Sequence, residues 1–229
     1  MSLSPSEIGV ILLSLRVAGT AVLFSLPLGI GVAWLLARRS FPGRALLSGL
    51  VHLPLVLPPV VTGYALLLLL GRNGPLGSWL EPLGIRFAFS WTGAALAAGI
   101  MGFPLLVRSV RLAFDMADPG LERAAATLGA SPFVTFVTVT LPLALPGVIA
   151  GTVLAFAKAL GEFGATITFV SSIPGETRTL PLAIYGLTQI PGEEAAALRL
   201  VLISTAVSVL ALVGSEVLAR RIAGRRGPA

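Results

Sequence analysis

The sequence predicts an all-α integral membrane protein with five transmembrane helices, and two observations carry this prediction. Of the 229 residues, 55% are hydrophobic and only 11% are charged, whereas an ordinary soluble domain has about 25% charged residues. In addition, the chain contains five apolar windows of the length that a helix needs to cross about 30 Å of hydrocarbon, which is roughly 20 residues. The windows are residues 17–37, 45–71, 87–107, 141–170 and 195–213.

The first window has charged residues at both ends. Glu7 and Arg16 precede it, and Arg38 and Arg39 close it. The residues before it lack the basic segment of a cleavable secretion signal, and the apolar run is too long for one. We therefore expect the first helix to be a retained membrane span.

The second window is interrupted by Pro54 and by the pair Pro58-Pro59. Because proline has no backbone N–H and clashes with the preceding turn, this helix is expected to be broken or kinked. Either the bend lies at a permeation path, or it only fits the helix into the bundle. The third window stops at Arg108 and Arg111.

The fourth window carries charges well inside it, Lys158 and Glu162. Because these residues are four apart on one helix face, the opposite charges can pair. Ionisable groups at that depth usually face a bundle interior or a water-filled path. Two interpretations stay open, a structural ion pair that locks two helices and a pair that lines or gates a translocation path. Gly161 and Gly164 flank Glu162 and permit a kink or a close approach of helices.

The fifth window has Arg199 in its first turn. Between the fourth and fifth windows, residues 171–194 form a connection that contains several Pro, Gly and Thr. Its apolar part, residues 180–190, is too short to cross a bilayer, so a re-entrant or interfacial piece is expected there. No internal repeat or linker divides the chain, which predicts a single domain over residues 1–229.

The distribution of arginine predicts the orientation, because Lys and Arg are retained on the cytoplasmic side. With the N-terminus outside, the inner side holds Arg38, Arg39, Arg44, Arg108, Arg111, Arg123, Arg220, Arg221, Arg225 and Arg226. The outer side holds Arg16, Arg72, Arg86, Arg178 and Arg199. We therefore expect the N-terminus outside, the C-terminus inside, and the loop of residues 108–140 in the cytoplasm.

Local signals in this inner loop predict a short helix. Residues 118–120, Asp-Pro-Gly, are typical of a helix start, and Glu122 falls near the first turn, where a carboxylate suits the helix dipole. The three alanines at 124–126 are strong helix formers. Gly129 ends the helix and Pro132 follows it. The pattern predicts a helix of two to three turns with small surface residues, followed by a second helix from about Pro132.

The spacing of small residues in this loop matches a known signature. The matching residues are Ala124, Ala125, Gly129, Leu141 and Pro142. Their spacing resembles E-A-A-x3-G-x9-I-x-L-P, the cytoplasmic signature of inner-membrane permease subunits of ABC importers. Val139 stands in place of Ile, and Arg123 stands in place of the first Glu, with Glu122 one position earlier.

The resemblance extends over most of the chain. Four segments, residues 41–43, 52–61, 160–166 and 173–179, look like the molybdate (tungstate) permease subunits within that superfamily, and the sulfate permeases are close relatives. The resemblance implies the type I ABC importer permease fold in the cytoplasmic (inner) membrane of a bacterium or archaeon. It also implies a coupling segment at about residues 112–141 that docks into an ATP-hydrolysing subunit.

The inner-loop residues and the charges, prolines and glycines of the apolar windows indicate which residues act. The expected coupling residues are Glu122, Ala124, Ala125, Gly129, Leu141 and Pro142. The candidates for the translocation path or gate are Pro58, Pro59, Lys158, Gly161, Glu162 and Gly164. The expected partners are a second copy of the chain, two cytoplasmic ABC ATPase subunits, an extracytoplasmic oxyanion-binding protein and membrane lipid. We expect no nucleic acid, because the arginines lie beside apolar runs and form no basic face with interleaved aromatics.

The sequence argues against enzymatic and metal chemistry in this chain. It has no cysteine and one histidine, so neither a Cys-based nor a multi-His metal site is expected. It has no G-x-x-x-x-G-K-[ST] phosphate loop, so ATP and Mg²⁺ are expected in the partner subunit. We weigh three alternatives to a molybdate permease, namely a sulfate or thiosulfate ABC permease, an ion-coupled secondary transporter or channel, and a non-transporting membrane scaffold.

Overall fold

The computed structural model describes residues 4–224, and every regular element in this range is helical. A 3₁₀ turn at Glu81–Leu83 follows α4, and a π-helical segment at Phe136–Thr140 joins α7 to α8. The helices are α1 Pro5–Arg38, α2 Arg44–Val56, α3 Pro59–Leu70, α4 Gly77–Leu80, α5 Trp91–Met116, α6 Pro119–Thr127, α7 Pro132–Thr135, α8 Leu141–Leu160, α9 Gly164–Val170, α10 Leu180–Thr188 and α11 Glu194–Gly224. Arg225 and Arg226, expected on the inner side, lie outside the described residues.

Four helical stretches and one bent pair account for the five predicted spans. The stretches Pro5–Arg38, Trp91–Met116, Pro132–Leu160 and Glu194–Gly214 are each long and apolar enough to cross a membrane. The fifth candidate is α2 with α3, which pass the same test together but are bent by 113° at the break between them. The helix of the second window is therefore broken, as predicted, and the break falls at Pro58-Pro59.

The contacts between helices fix the direction in which each one crosses. The Arg16 guanidinium lies 3.7 Å from the centroid of the Trp91 ring, beside the start of α5. At the other end of α1, Arg38 donates to the Ala117 carbonyl just after α5. Because α1 and α5 therefore run in the same direction, the chain must cross back between them, and α2 with α3 makes that crossing.

The remaining spans continue the alternation. Ser109 on α5 donates to the Gly147 carbonyl on α8, and Gly102 of α5 lies against Ala155, so α8 runs antiparallel to α5. Arg199 near the start of α11 pairs with Glu7 near the start of α1. Helices α1, α5 and α11 thus cross one way while the bent pair and α8 cross the other way. The ends of the described chain lie on opposite sides, as the predicted orientation requires.

The bundle is held together by small residues on its central helix. Most of the buried residues of α5 between positions 93 and 102 are Gly or Ala. A Cβ atom at Gly102 would lie 3.0 Å from the Ala155 carbonyl oxygen, and one at Gly147 would lie 2.4 Å from the Ala113 Cβ. Small residues let helices approach closely where lipid provides no hydrophobic driving force between them.

Two predicted boundaries are corrected. The fourth window is not one helix, because α8 ends at Leu160 and α9 begins at Gly164. The third span does not stop at Arg108, since α5 continues to Met116, whereas a helix begins at Pro132 as predicted. The apolar segment of the outer connection forms the short helix α10, whose Leu180 N–H donates to the buried Ser14 hydroxyl. Window lengths alone could not place these ends, because charged and polar residues also occupy helices outside the hydrocarbon.

Candidate translocation and coupling sites

The two interrupted spans are broken in different ways. Between α2 and α3 the break falls at Leu57 and Pro58, and Pro59 begins α3, where its missing N–H has no helical partner to lose. Pro54 lies inside α2 and does not interrupt it. Between α8 and α9 the break covers residues 161–163, with Gly161 as the residue that ends α8.

The two breaks contact each other. A Cβ atom at Gly164 would lie 2.7 Å from the Pro59 Cβ, and one at Gly63 would lie 2.4 Å from the Ala165 carbonyl oxygen. The first turns of α3 and α9 can therefore pack only because glycine occupies both positions. Gly161 differs, because a Cβ there would meet only the Ala157 carbonyl oxygen at 3.6 Å. Of the two flanking glycines singled out from the sequence, Gly164 makes a close contact and Gly161 ends a helix.

Glu162 holds the second break together. Its side chain is 1% exposed and forms an ion pair with Lys158 in the last turn of α8. Its other carboxylate oxygen accepts a hydrogen bond of 3.0 Å from the Ala165 N–H in the first turn of α9. A carboxylate at this position satisfies an otherwise unpaired donor and interacts favourably with the helix dipole. The carboxylate thus joins α8 to α9 across the interruption.

Lys158 and Glu162 differ in their exposure. The Lys158 side chain is 31% exposed while Glu162 is enclosed, so the lysine is the member of the pair that reaches the surface of the subunit. The buried Thr62 hydroxyl beside the first break has no hydrogen-bond partner within residues 4–224. No pattern in the sequence distinguishes Thr62 from the other threonines of the apolar windows.

The coupling segment forms a helical hairpin at the opposite end of the bundle from Glu7. Asp118 caps α6 by accepting a hydrogen bond of 2.7 Å from the Gly120 N–H. Gly129 has φ +85°, a left-handed conformation that favours glycine, so the helix ends where the sequence predicts. The Ser131 hydroxyl then accepts from the Val134 N–H and starts α7.

The surface of this hairpin is open and partly apolar. None of the residues of α6 is buried, and Ala124 is exposed while Ala125 is half-buried. Leu128 is 88% exposed and Phe133 is 76% exposed, one on each side of Gly129. Large apolar side chains this exposed next to polar residues are typical of a protein interaction surface.

Glu122 connects the hairpin to two membrane helices. Its Oε1 atom lies 3.0 Å from an Arg38 guanidinium nitrogen at the end of α1 and accepts a hydrogen bond of 3.0 Å from the buried Thr140 hydroxyl. Arg38 also donates to the Ala117 carbonyl, which closes the junction between α5 and α6. The sequence suggested a helix-start position for Glu122 and a place among the coupling residues, but not these contacts, because its partners are far away along the chain. Arg123, in the place of the signature glutamate, is exposed and has no ion-pair partner within the described part of the chain.

Leu141 and Pro142 lie where the hairpin enters the membrane. The π-helical segment Phe136–Thr140 ends directly before them. Leu141 packs against a cluster of buried apolar residues that includes Leu36 and Phe114. A π-helical turn is a common distortion at functional positions, and a proline two residues into the next helix provides no N–H for the regular pattern. The end of the signature therefore coincides with an irregular helix.

Comparison with known proteins identifies the family. Residues 25–224 match the family model described as the binding-protein-dependent transport system inner membrane component. The chain belongs to this family. It is therefore a multi-pass transport subunit of a bacterial inner membrane.

The similar curated proteins are named as permeases of molybdenum or sulfate transport systems. The chain is 59% identical over 228 residues to the molybdenum transport system permease protein ModB of Escherichia coli, covering 99% of this chain and 100% of that protein. It is 54% identical to ModB of Haemophilus influenzae, covering 96% and 97% of the two chains. The sulfate transport system permease protein CysT of Escherichia coli is more distant, with 37% identity over 182 residues that cover 80% and 66% of the two chains.

Solved structures establish the fold. A bacterial ABC transporter that imports alginate matches with a TM-score of 0.76 at 19% identity, covering 96% of this chain and 81% of that one. The methionine transporter MetNI in an inward-facing conformation matches with a TM-score of 0.71 at 16% identity, covering 96% and 99%. The chain has the type I ABC importer permease fold.

Proposed function

We propose that the chain is the membrane-spanning permease subunit of an ATP-driven importer of molybdate. The observation that carries the proposal is the 59% identity to a molybdenum transport permease along essentially the full length of both chains. The sulfate permease is less similar and is matched over a shorter part of its length. A sulfate or thiosulfate permease is therefore the second candidate.

We propose that two copies of the chain enclose the path between them. A subunit with five spans that pack around the small residues of α5 encloses too little space for a path alone, so a second copy completes the path. The proposed gate residues are those of the two touching breaks, Pro58, Pro59, Gly161 and Gly164, with the Lys158–Glu162 pair. Broken helices supply the movable segments that alternating access requires.

The charges at the breaks are compatible with an oxyanion. Glu162 alone would repel a negatively charged substrate, but it is enclosed and paired with Lys158. The partly exposed side chain is that of Lys158, so a passing oxyanion meets the positive member of the pair first. This arrangement supports a path for anions and gives no support to a cation channel.

The proposed coupling mechanism starts at the exposed hairpin. Ala124, Ala125 and Gly129 offer a surface with little bulk, to which a cytoplasmic ATPase subunit binds. Closure of two ATPase subunits on ATP and Mg²⁺ moves both hairpins, and the Glu122 contacts pass that motion to α1 and to the π-helical segment before α8. An extracytoplasmic binding protein delivers the oxyanion to the other side. One of the solved relatives is an alginate transporter in complex with a periplasmic protein.

Reconstitution tests this function. The chain is co-expressed with the ATPase subunit and binding protein of the same transport system, inserted into liposomes, and assayed for uptake of radioactive molybdate with and without a tenfold excess of sulfate. We expect ATP-dependent uptake that requires the binding protein and resists sulfate. Suppression of uptake by sulfate would favour the sulfate permease, and uptake by the chain alone would indicate a secondary transporter.

A further inference from the structure

A deep apolar crevice lies between α1, α2 and α5. Its volume is about 840 Å³, and its walls include Phe24 and Leu28 from α1, Pro54 from α2, and Ile100 and Phe103 from α5. Phe24 is 70% exposed and Leu28 is 65% exposed, so the crevice opens on the outside of the subunit. None of the proposed coupling or gate residues lines it.

The depth of the crevice in the membrane follows from two arginines on α1. Arg16 and Arg38 are 22 residues apart, which corresponds to about 33 Å along a helix and matches a hydrocarbon core about 30 Å thick. Arg38 belongs to the cytoplasmic junction, so Arg16 marks the outer boundary. Trp91, directly beneath the Arg16 guanidinium, lies at the same level, where tryptophan and arginine are both enriched.

The length of the crevice matches one leaflet. Its wall on α5 extends from Trp91 to Phe103, which is about 18 Å of helix. Half of the hydrocarbon core is about 15 Å thick. The crevice therefore begins at the outer boundary and ends near the middle of the bilayer, which is the space that an acyl chain of the outer leaflet occupies.

A free positive charge lies at the mouth of the crevice. Arg16 is exposed and has no ion-pair partner among the residues that the structure describes. Thr20, Phe24 and Leu28, which line the crevice, follow it at intervals of four, so all four share one face of α1. A guanidinium group binds phosphate oxygens strongly, and here it is held in place by stacking on Trp91.

We propose that this crevice binds one phospholipid of the outer leaflet, with its phosphate on Arg16 and an acyl chain along α5. The match in length and the charge at the mouth together specify this occupant. A second copy of the chain would also cover apolar residues, but it would have no need of an unpaired arginine at the boundary. The site is independent of the proposed substrate and of the proposed gate.

Lipid binding by the intact transporter complex tests the proposal. The complex is depleted of lipid in dodecyl maltoside, checked for assembly by size exclusion, and titrated with dioleoylphosphatidylglycerol under native mass spectrometry. We expect one tightly held phospholipid per permease copy. Arg16→Gln should weaken it at least tenfold, and Leu28→Trp, which fills the crevice from an exposed position, should abolish it.

Matched variants separate this site from general lipid contact. Arg72→Gln removes another exposed outer arginine, and Leu210→Trp adds the same bulk on a lipid-facing part of α11, so both should bind lipid as the original chain does. Dioleoylglycerol, which lacks the phosphate, should bind at least tenfold more weakly. Equal binding of the two lipids, or unchanged binding by Arg16→Gln, would overturn the proposal.

A cross-linking experiment tests the competing occupant. Because the chain has no cysteine, Leu28→Cys introduces a single thiol into the crevice. A thiol covered by lipid should give no disulfide between copies on oxidation of the complex in membranes. Efficient formation of a disulfide-linked permease dimer would show that a second copy fills the crevice and would overturn the lipid assignment.

Discussion

Glu162, which lies in the membrane, and Glu122, which lies at the membrane surface, differ in the residues that they contact. Glu162 binds Lys158 and the Ala165 N–H, so all of its partners lie within four residues. Glu122 binds Arg38 and Thr140, which are 84 and 18 residues away along the chain. The first is enclosed and fastens one interrupted helix, whereas the second is 25% exposed and fastens three separate elements. Glu162 therefore stabilises the shape of one interrupted helix, whereas Glu122 is placed to transmit motion from the hairpin to α1 and α8.

The largest expected effect is on the binding of the ATPase subunit to the hairpin that contains Glu122. Gly129→Asp should abolish association with the ATPase subunit, because it places bulk and negative charge on the exposed hairpin at a position with φ +85°. Co-purification of the two subunits measures this. Gly175→Asp is the matched control, because Gly175 also has positive φ, +77°, but lies in the outer connection. Normal association of the Gly129 variant would remove the hairpin from the interface.

Removal of the enclosed glutamate should cause the largest loss of stability. Glu162→Ala leaves Lys158 without its partner and α9 without its cap, and we expect the free energy of unfolding to fall by about 3 kcal/mol. Thermal unfolding in detergent measures this loss. Glu162→Gln keeps an oxygen that can accept from the Ala165 N–H, so it should lose less. An unchanged melting temperature for the alanine variant would contradict the fastening role.

The contact between the two breaks should tolerate little added bulk. Gly164→Ala places a Cβ atom 2.7 Å from the Pro59 Cβ, and we expect a loss of about 1–3 kcal/mol from overpacking. Gly161→Ala should change stability by no more than about 0.5 kcal/mol, because nothing lies closer than 3.6 Å to the added atom. Thermal unfolding compares the two variants. Equal losses would mean that the breaks are not in contact.

The Glu122 contacts should matter least for stability. Because this ion pair lies at the surface, Glu122→Ala should cost only about 0.2–1 kcal/mol in thermal unfolding. A double-mutant cycle with Arg38→Ala isolates the pair from the Thr140 contact. A loss as large as that of Glu162→Ala would make Glu122 another structural fastening and would remove the contrast between the two residues.

The sequence predicted the features that depend on a few neighbouring residues, namely helix breaks, helix ends and one ion pair. The proline pair located the first break, and the Asp118, Gly129 and Pro132 signals located the coupling helix and its end, because caps and turns depend on a few neighbouring residues. The pairing of Lys158 with Glu162 also followed from a spacing of four.

Tertiary contacts explain what the sequence could not provide. Gly161 and Gly164 indicated that a kink was possible at the second break, but the apolar window was also compatible with one helix. The structure shows the break, with Gly164 packed against Pro59. The partners of Glu122 were invisible because its contact with Arg38 depends on how α1 and α6 are brought together. The crevice likewise arises from the spacing of three helices, although the sequence placed Arg16 on the outer side of the membrane.

The most direct test of this account measures ATP hydrolysis and molybdate uptake together, in the same liposomes, for the complex that carries Glu122→Ala. We expect hydrolysis and subunit association close to those of the original complex, with uptake per ATP reduced several-fold, because the hairpin still binds the ATPase but no longer moves α1 and α8 with it. Unchanged uptake per ATP would contradict the claim that the Glu122 contacts transmit the motion.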